Sequence, residues 1–509
     1  MRAIGSCYIS KAAALLLCLS AGVQSGRAGE PYKLSFDKAK EAELWNVDGN
    51  INGLRLDKRK MNVAELYGGY EQGGFRRYSD ALSEWNAGVR TEGMLHLEKF
   101  SMRGRFGFRQ WQGMRMSGSM YIYPGFYPID LLEFTPGTKN RQTYEVEGGL
   151  TYELSSAWSL GVNVDFTSDN IAKRKDLRHT NYRLDFGVAP AVMYRGDGYV
   201  LGLTYMFRKN SERVEAEQIV AGATNYEVFL DKGLGCGLLQ DWRGAGVLLV
   251  GNGAKGLPVR ENIHKVSLQA QYGGLYAELS YAYGLGTVGE RNVIWYNFPS
   301  HLFGGRVAYK GEKNAVMYLA SIDAECRLLR NKEHTLDEYV EGGVTNYMRI
   351  ATNTVYSEAV FSVVPSYKLW SRYVDAGVSL RYDFANEVAT QIYPCAGQRD
   401  VFTLDTQGYV EGHIWKFDLR VDVAVCKSFA DEKKLVPEGA SEPYRHAEYY
   451  AWEMEYIRSP KLNVGLSLRY NFWKGMYVSL GGSYLHGFEL AKIAVPDRWA
   501  LGLKYGIEF

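Results

Sequence analysis

Apolar and polar residues alternate one for one through most of this chain, most cleanly in its last eleven residues. Trp499, Leu501, Leu503, Tyr505, Ile507 and Phe509 share one parity, and Ala500, Gly502, Lys504, Gly506 and Glu508 the other. A strand turns successive side chains to opposite faces, so one face here is apolar and the other small or charged. A final strand that ends on an aromatic is what an outer-membrane β-barrel presents to lipid. Tyr505, Ile507 and Phe509 are therefore the candidate barrel-assembly signal.

The same rhythm recurs upstream. Phe100, Met102, Phe106 and Phe108 oppose Arg103, Arg105 and Arg109; Tyr144, Val146, Leu150, Tyr152 and Leu154 oppose Glu145, Glu147 and Glu153. Val374, Val378, Leu380, Tyr382 and Phe384 face away from Asp375, Arg381 and Asp383. Phe417 to Val425 alternate with Lys416, Asp418, Arg420 and Asp422, and Leu462 to Phe472 with Arg469 and its polar neighbours. Each run lasts about 10 residues, the length a tilted strand needs to cross a bilayer. A soluble sandwich alternates too, but its inner face must pack a core, and these segments are long and aromatic at their ends.

Short turns at Ser155-Ser156, Gly196-Asp197-Gly198, Gly273-Gly274, Gly311-Glu312-Lys313 and Lys474-Gly475 join neighbouring strands. Longer irregular stretches are expected at 112–141, 167–181, 211–261, 327–347, 385–400 and 427–446. The fold class is all-β: a transmembrane antiparallel up-and-down barrel of about 16 strands, with 14 to 18 compatible. One conflict stands in this reading. With Phe509 in the periplasm, Arg458-Ser459-Pro460 is an outer turn and 427–446 falls on the periplasmic side, where long loops are unusual. A short strand near 427–446 or 486–497, or shifted boundaries, would remove it.

Three regions follow: 1–28 as a signal peptide, 29–60 as a short periplasmic segment, and 61–509 as the barrel. Arg2 and Lys11 precede the apolar run Ala12–Leu19, and Gly26-Arg27-Ala28 offers a cleavage site, with Ser20-Ala21-Gly22 as an earlier one. Leu17 is too large before Cys18 for a lipid-attachment site. Within 29–60, residues 35–45 are expected to form a helix with Ser35 as its N-cap. Asn50 to Leu54 turn toward a first strand near 62–70. A tether is the plainer role for this segment; entry into the lumen is the alternative.

Composition agrees with a barrel. Hydrophobic residues make up 46% and mean hydropathy is −0.26, too low for a bundle of membrane helices. The 38 Tyr and 11 Trp are enough for two interfacial girdles. Removing Arg2, Lys11 and Arg27 with the leader takes the net charge from +2 to −1, which gives no attraction to nucleic acid. Cys236, Cys326, Cys395 and Cys426 would remain without C-x-x-C spacing, leaving open one or two disulfides or four thiols.

The approach Leu44-Trp45-Asn46, the aromatic loop from Tyr121 to Pro136 and the stretch Ala172 to Asn181 (AKRKDLRHTN) resemble an uncharacterised family of outer-membrane β-barrels from Bacteroidota-type bacteria. The resemblance runs through most of the mature chain. It implies the fold and the membrane and supplies no substrate or catalytic residue.

The candidate lumen lining is Arg103, Arg105, Arg109, Glu145, Glu147, Asp375, Arg381, Asp383, Lys416, Asp418, Arg420, Asp422 and Arg469. In a wet pore these charges set solute preference; paired with one another, they would cross-link the lumen. A lumen this wide exceeds what side chains alone fill, which favours an aqueous or loop-constricted channel. Tyr121, Tyr123, Phe126 and Tyr127 form a candidate recognition loop, with packing inside the mouth as the alternative. Gly251 to Gly256 lacks the Gly-Lys-Ser/Thr order of a phosphate loop. The eight histidines show no catalytic or metal-ligand spacing and are expected in girdles and loops. Lys173-Arg174-Lys175 could meet lipopolysaccharide phosphates or be a solvated charge run. No catalytic residue, metal or cofactor is expected.

The expected partners are outer-membrane lipid and lipopolysaccharide, the barrel-assembly machinery and a co-encoded receptor or lipoprotein. The expected function is a porin-like solute channel or an accessory subunit of an uptake system. A non-conducting scaffold or surface-binding barrel is the alternative, and a rim hydrolase ranks last.

Overall fold

The computed structural model describes residues 34–509, apart from 46–48, 57–60, 176, 218–225, 244–245, 248–256, 291–292, 391–395 and 436–443. The expected signal peptide, Cys395 and Gly251 to Gly256 lie outside the described residues. Eighteen antiparallel strands run from Asn62–Gly73 to Asp497–Glu508, each paired with the next. The first and last close the ring, from Val63 opposite Glu508 to Gly73 opposite Arg498. Closure leaves no strand edge unpaired, as a backbone in lipid requires.

The alternation becomes an apolar exterior and a polar lumen. Leu201, Leu203, Leu268, Leu279, Leu466 and Leu501 all point outward and are exposed. Aromatic pairs ring the end that carries the short turns: Phe100–Tyr152, Trp158–Tyr194 and Phe417–Tyr470, each with ring centroids 4.8 Å apart. A second ring of pairs lies further along the same strands, with Phe108–Tyr144 at 5.0 Å and Tyr70–Trp499 at 5.4 Å. Phe108 is eight residues beyond Phe100, a rise of about 20 Å for a tilted strand, which matches the apolar band of such barrels. His264 and His301 join this outer belt, bonded to Tyr205 and Tyr281 at 2.7 and 2.9 Å.

Three expectations change. The strand number, 18, is the upper end of the expected 14 to 18 and not the central 16, and several segments expected to be irregular continue their strands beyond the bilayer. Val316–Glu341 and Val344–Trp370 form one hairpin across 327–347, turning at Gly342 and Gly343, both at positive φ. Beyond the hydrocarbon nothing selects an apolar outer face, so alternation fades while the hydrogen-bond ladder goes on.

The conflict at 427–446 disappears because Tyr444–Arg458 is a helix, α2. Tyr449, Trp452 and Tyr456 recur at helical spacing, and Ser459-Pro460 stops the helix. The helix thus lies on the long-loop side, between strands Phe417–Leu435 and Lys461–Trp473. Third, the N-terminal segment is no tether: helix α1, Phe36–Glu41, and a 3₁₀ turn, Ile51–Arg55, lie inside the barrel. Ser35 precedes α1 without a side-chain capping bond. Cys326 and Cys426 carry free thiols, and Cys236 is buried under the outer loops.

Candidate functional site

The lumen is closed near the short turns by the N-terminal segment. Trp45 and Leu44 pack against Met193, Tyr276, Leu319 and Trp370, which come from four separate strands. Phe36, Ile51 and Leu54 pack against Val63 and Met94. The wall makes room with glycine: a Cβ on Gly149 or Gly161 would collide with Ile51, and one on Gly202 would come within 2.7 Å of Trp45.

Charged residues then act as spokes to the wall. Asp37 pairs with Arg90 at 2.7 Å, Lys40 with Glu92 at 3.2 Å and Glu43 with Lys310 at 3.3 Å. Glu41 meets Lys368, and Arg55 meets Glu153. Each polar group on α1 therefore finds a partner inside the lumen, which satisfies the cost of bringing it there.

At the opposite mouth the long loops fold inward. Tyr121, Tyr127, Leu131, Val228, Leu230, Tyr296 and Phe298 form the centre of a buried cluster that reaches strands from Tyr199–Glu217 round to Val374–Ala389. Helix α2 covers the remaining side. Its Trp452 indole donates to Arg76 carbonyl at 2.8 Å, His446 stacks on Phe229 at 3.7 Å, and Glu453 accepts from Tyr78 N–H at 2.6 Å. Burial pushes the Glu453 carboxyl up. Glu455 accepts the backbone N–H groups of Ala491, Lys492 and Ile493 at 2.8 to 2.9 Å. Burial opposes its charge, yet those donors hold its carboxyl below the usual range.

The candidate recognition loop belongs to this closure. Tyr121 and Tyr127 are buried, and burial holds both phenols protonated by raising them. Tyr121 donates to Leu257 carbonyl at 3.1 Å, and Tyr127 accepts from Asn210 at 3.0 Å. Tyr123 and Phe126 face the lumen over Arg183, whose guanidinium carbon lies 5.2 and 5.3 Å from their ring centres. Phe126 is the one of the four that stays exposed. Lys173 is not offered to the surface: it is buried and paired with Glu133 at 2.6 Å.

Between the closures the lumen is uneven. On the wall from Asn62 to Glu217 most charges are cross-linked, with Arg109 an exception. Arg103 is fully buried between Glu92 at 2.8 Å and Glu147 at 3.1 Å, and Arg105 meets Glu145 at 2.9 Å. Elsewhere Arg381 pairs with Asp383 and Arg420 with Asp422, both at 2.7 Å, and Arg469 with Glu508 at 3.0 Å. Lys416 is at the rim instead of in the lumen, over the ring of Trp415 in the turn. Arg109 faces the cavity that Tyr67 and Lys504 also line.

Along the wall made by the last strands and the first, small residues leave space. Ser379, Ser467, Ser479, Gly465, Gly481 and Gly502 line a cavity of about 970 Å³. It adjoins a second cavity of about 1190 Å³ beside α1, and Glu41, Lys368, Ser379, Arg420, Ser467 and Ser479 border both.

Spacing in the sequence did not reveal one cluster. Asp375, Glu411 and His413 bring three potential ligand atoms within 4.8 Å of one another. The Lys38 ammonium sits among them, 2.6 Å from Asp375 and 2.7 Å from Glu411, and His413 also meets Asp418 at 2.7 Å. A cation site is present, and the chain's own lysine fills it. His413 is therefore lumenal, against the expectation that histidines sit in girdles and loops. The residues come from α1 and from adjacent strands far apart in sequence, so only the barrel's register unites them.

A closed barrel with a greased exterior and a polar lumen, shut at both ends by its own chain, defines an outer-membrane β-barrel protein. The chain belongs to a family of unknown function (DUF6850), whose model matches residues 52–509. No curated protein matches it. Among solved structures it is similar to the ferric citrate transporter FecA, at 7% identity and TM-score 0.40 over 88% of this chain and 78% of that one. It is also similar to the outer membrane transporter YddB from Escherichia coli, at 9% identity and TM-score 0.38 over 87% and 81%. The copper transporter OprC gives 8% identity and TM-score 0.38 over 88% and 80%. At such scores the fold rests on the barrel's own ladder.

Proposed function

We propose that this barrel passes a solute across the outer membrane along the Gly/Ser-lined side of its lumen, with segment 34–56 as an internal gate. The supporting observation is the pair of adjoining cavities beside that segment. One runs along a wall whose side chains are small, and the other, beside α1, is lined mainly by charged side chains. Both closures are noncovalent among the described residues, so they can part without breaking the ring. Reaction chemistry has no place in this reading, because His413 is surrounded by carboxylates and Lys38 instead of a nucleophile. The outer loops would meet lipopolysaccharide, Tyr505, Ile507 and Phe509 would be read by the assembly machinery, and a co-encoded receptor or lipoprotein would trigger opening.

A second reading, a non-conducting scaffold, draws on the buried loop core that spans the outer mouth. Planar-bilayer recording separates the two. The wild type is expected to be mostly closed. A variant lacking 34–56 and carrying Glu455→Ala, which frees the loop at 491–493, is expected to give stepwise currents. Sealed bilayers from a variant that still migrates as a folded, heat-modifiable barrel would favour the scaffold.

A further inference from the structure

Lys504, Tyr67, Gly88 and Arg109 lie on one rung of the barrel. Lys504 is opposite Tyr67, Tyr67 opposite Gly88, and Gly88 opposite Arg109, in four consecutive strands around the closure point. Directly paired residues share a face, here the lumenal one. Strands sit about 4.8 Å apart, so the two cations start about 14 Å apart on the wall, and their long side chains and the Tyr67 ring reach into the space between. Gly88 keeps the middle of the rung clear: a Cβ there would meet the Tyr67 ring at 2.5 Å.

A cavity of about 350 Å³ opens on this rung, and Tyr67 and Lys504 also border the 970 Å³ cavity. The carboxylates nearby are already engaged. Glu65 accepts from the Tyr477 hydroxyl at 2.5 Å and from Arg90 at 3.4 Å, and Glu145 accepts from Arg105 at 2.9 Å. Among the described residues, Arg109 and Lys504 have no carboxylate partner and the Tyr67 hydroxyl has no hydrogen-bond partner. Glu65, Glu145, Arg90 and Arg105 line the same cavity as neutralised pairs, so the two uncompensated cations and the free hydroxyl leave it with an excess of positive charge.

We infer that this rung binds a small oxyanion with two or more negative charges, carboxylate or phosphate. The Arg109 guanidinium can hold one oxyanion group through two parallel N–H bonds. Lys504 supplies a point charge for the second, and the Tyr67 hydroxyl donates between them. The inference rests on the solute-passage reading and names the charge class of that solute.

Isothermal titration calorimetry of the full chain in detergent tests it with succinate and pyrophosphate, and with erythritol as an uncharged probe. Saturable binding of at least one oxyanion and none of erythritol is expected; which of the two binds tells carboxylate from phosphate. The R109Q/K504Q variant should bind at least about tenfold more weakly, as loss of charge-assisted bonds implies. R381Q, which alters a paired arginine elsewhere in the lumen, should bind as the wild type does. Tyr67→Phe removes only the hydroxyl and gives a smaller loss if the double variant does not fold. No saturable binding to the wild type, or equal binding by R109Q/K504Q or by both it and Tyr67→Phe, overturns the site. Binding by a barrel that never conducts would leave the site standing and remove the passage reading alone.

Discussion

Trp45→Ala tests the gate most directly. The indole is 3% exposed and meets Tyr276 edge-on at 5.6 Å and 72°. Its N–H has no acceptor among the described residues, so the loss is one of packing. Truncating a buried tryptophan to alanine costs about 3–5 kcal/mol. At about 1.4 kcal/mol per tenfold, the open population of the segment rises roughly a hundredfold to several thousandfold. Hydrogen exchange followed by mass spectrometry reads this at amides that the docked segment protects. Ala39 N–H bonds Ser35 carbonyl and Ala42 N–H bonds Lys38 carbonyl, both at 2.9 Å, and Gly53 N–H bonds Asn50 carbonyl at 3.0 Å. Their exchange should accelerate by that factor while barrel-strand amides stay protected. Unchanged exchange at 36–42 and 51–56 in the variant would show that Trp45 does not hold the segment, and the gate reasoning would fail.

Other consequences are open to measurement. Gly161→Val should drive Ile51 from its cradle, because even a Cβ there collides with it; faster proteolysis within 34–56 is expected, and wild-type resistance would contradict the fit. Arg103→Gln takes the shared cation from buried Glu92 and half-buried Glu147; because Glu92 keeps Lys40 and Arg90, the loss falls below the cost of a fully uncompensated buried charge, about 3–5 kcal/mol. It should lower the temperature at which the barrel unfolds on heat-modifiability gels, and an unchanged midpoint would argue against the cross-link. The Asp231 carboxyl, half-buried at the outer loops, is pushed up to about 6 from 3.8 by desolvation that the Gly233 and Gly235 N–H groups only partly offset. The folded hairpin holds that proton more tightly than an open one. Its stabilisation is therefore full below pH 3.8, falls as pH rises, and is gone above about 6. Exchange at Tyr226–Asp231, corrected for the intrinsic rate, should be slower at pH 4.5 than at pH 7; the reverse order would sink the assignment.

Much of the barrel was legible from residues alone because lipid imposes a two-residue period. Wherever the bilayer touches the wall, as from Trp499 to Phe509, outward residues must be apolar and the reading holds. The same logic failed at 327–347 and 444–458. Outside the bilayer, water accepts either parity, and the aromatic spacing of Tyr449, Trp452 and Tyr456 follows a helix.

The lumenal face of many charges could be read one by one, but their pairing could not. Glu92 and Arg103 meet because strands Ser83–His96 and Phe100–Ser119 are adjacent and in a given register. The sequence by itself thus determined that the chain crosses a membrane as strands and which side of each strand is wet. Only the closed ring decided that Lys38 enters a carboxylate cluster, that Trp45 joins a cluster drawn from four distant strands, and that Lys504 and Arg109 fall on one rung. Alternation is a local property written into neighbouring residues, whereas each of those contacts depends on closing a loop of tens to hundreds of residues.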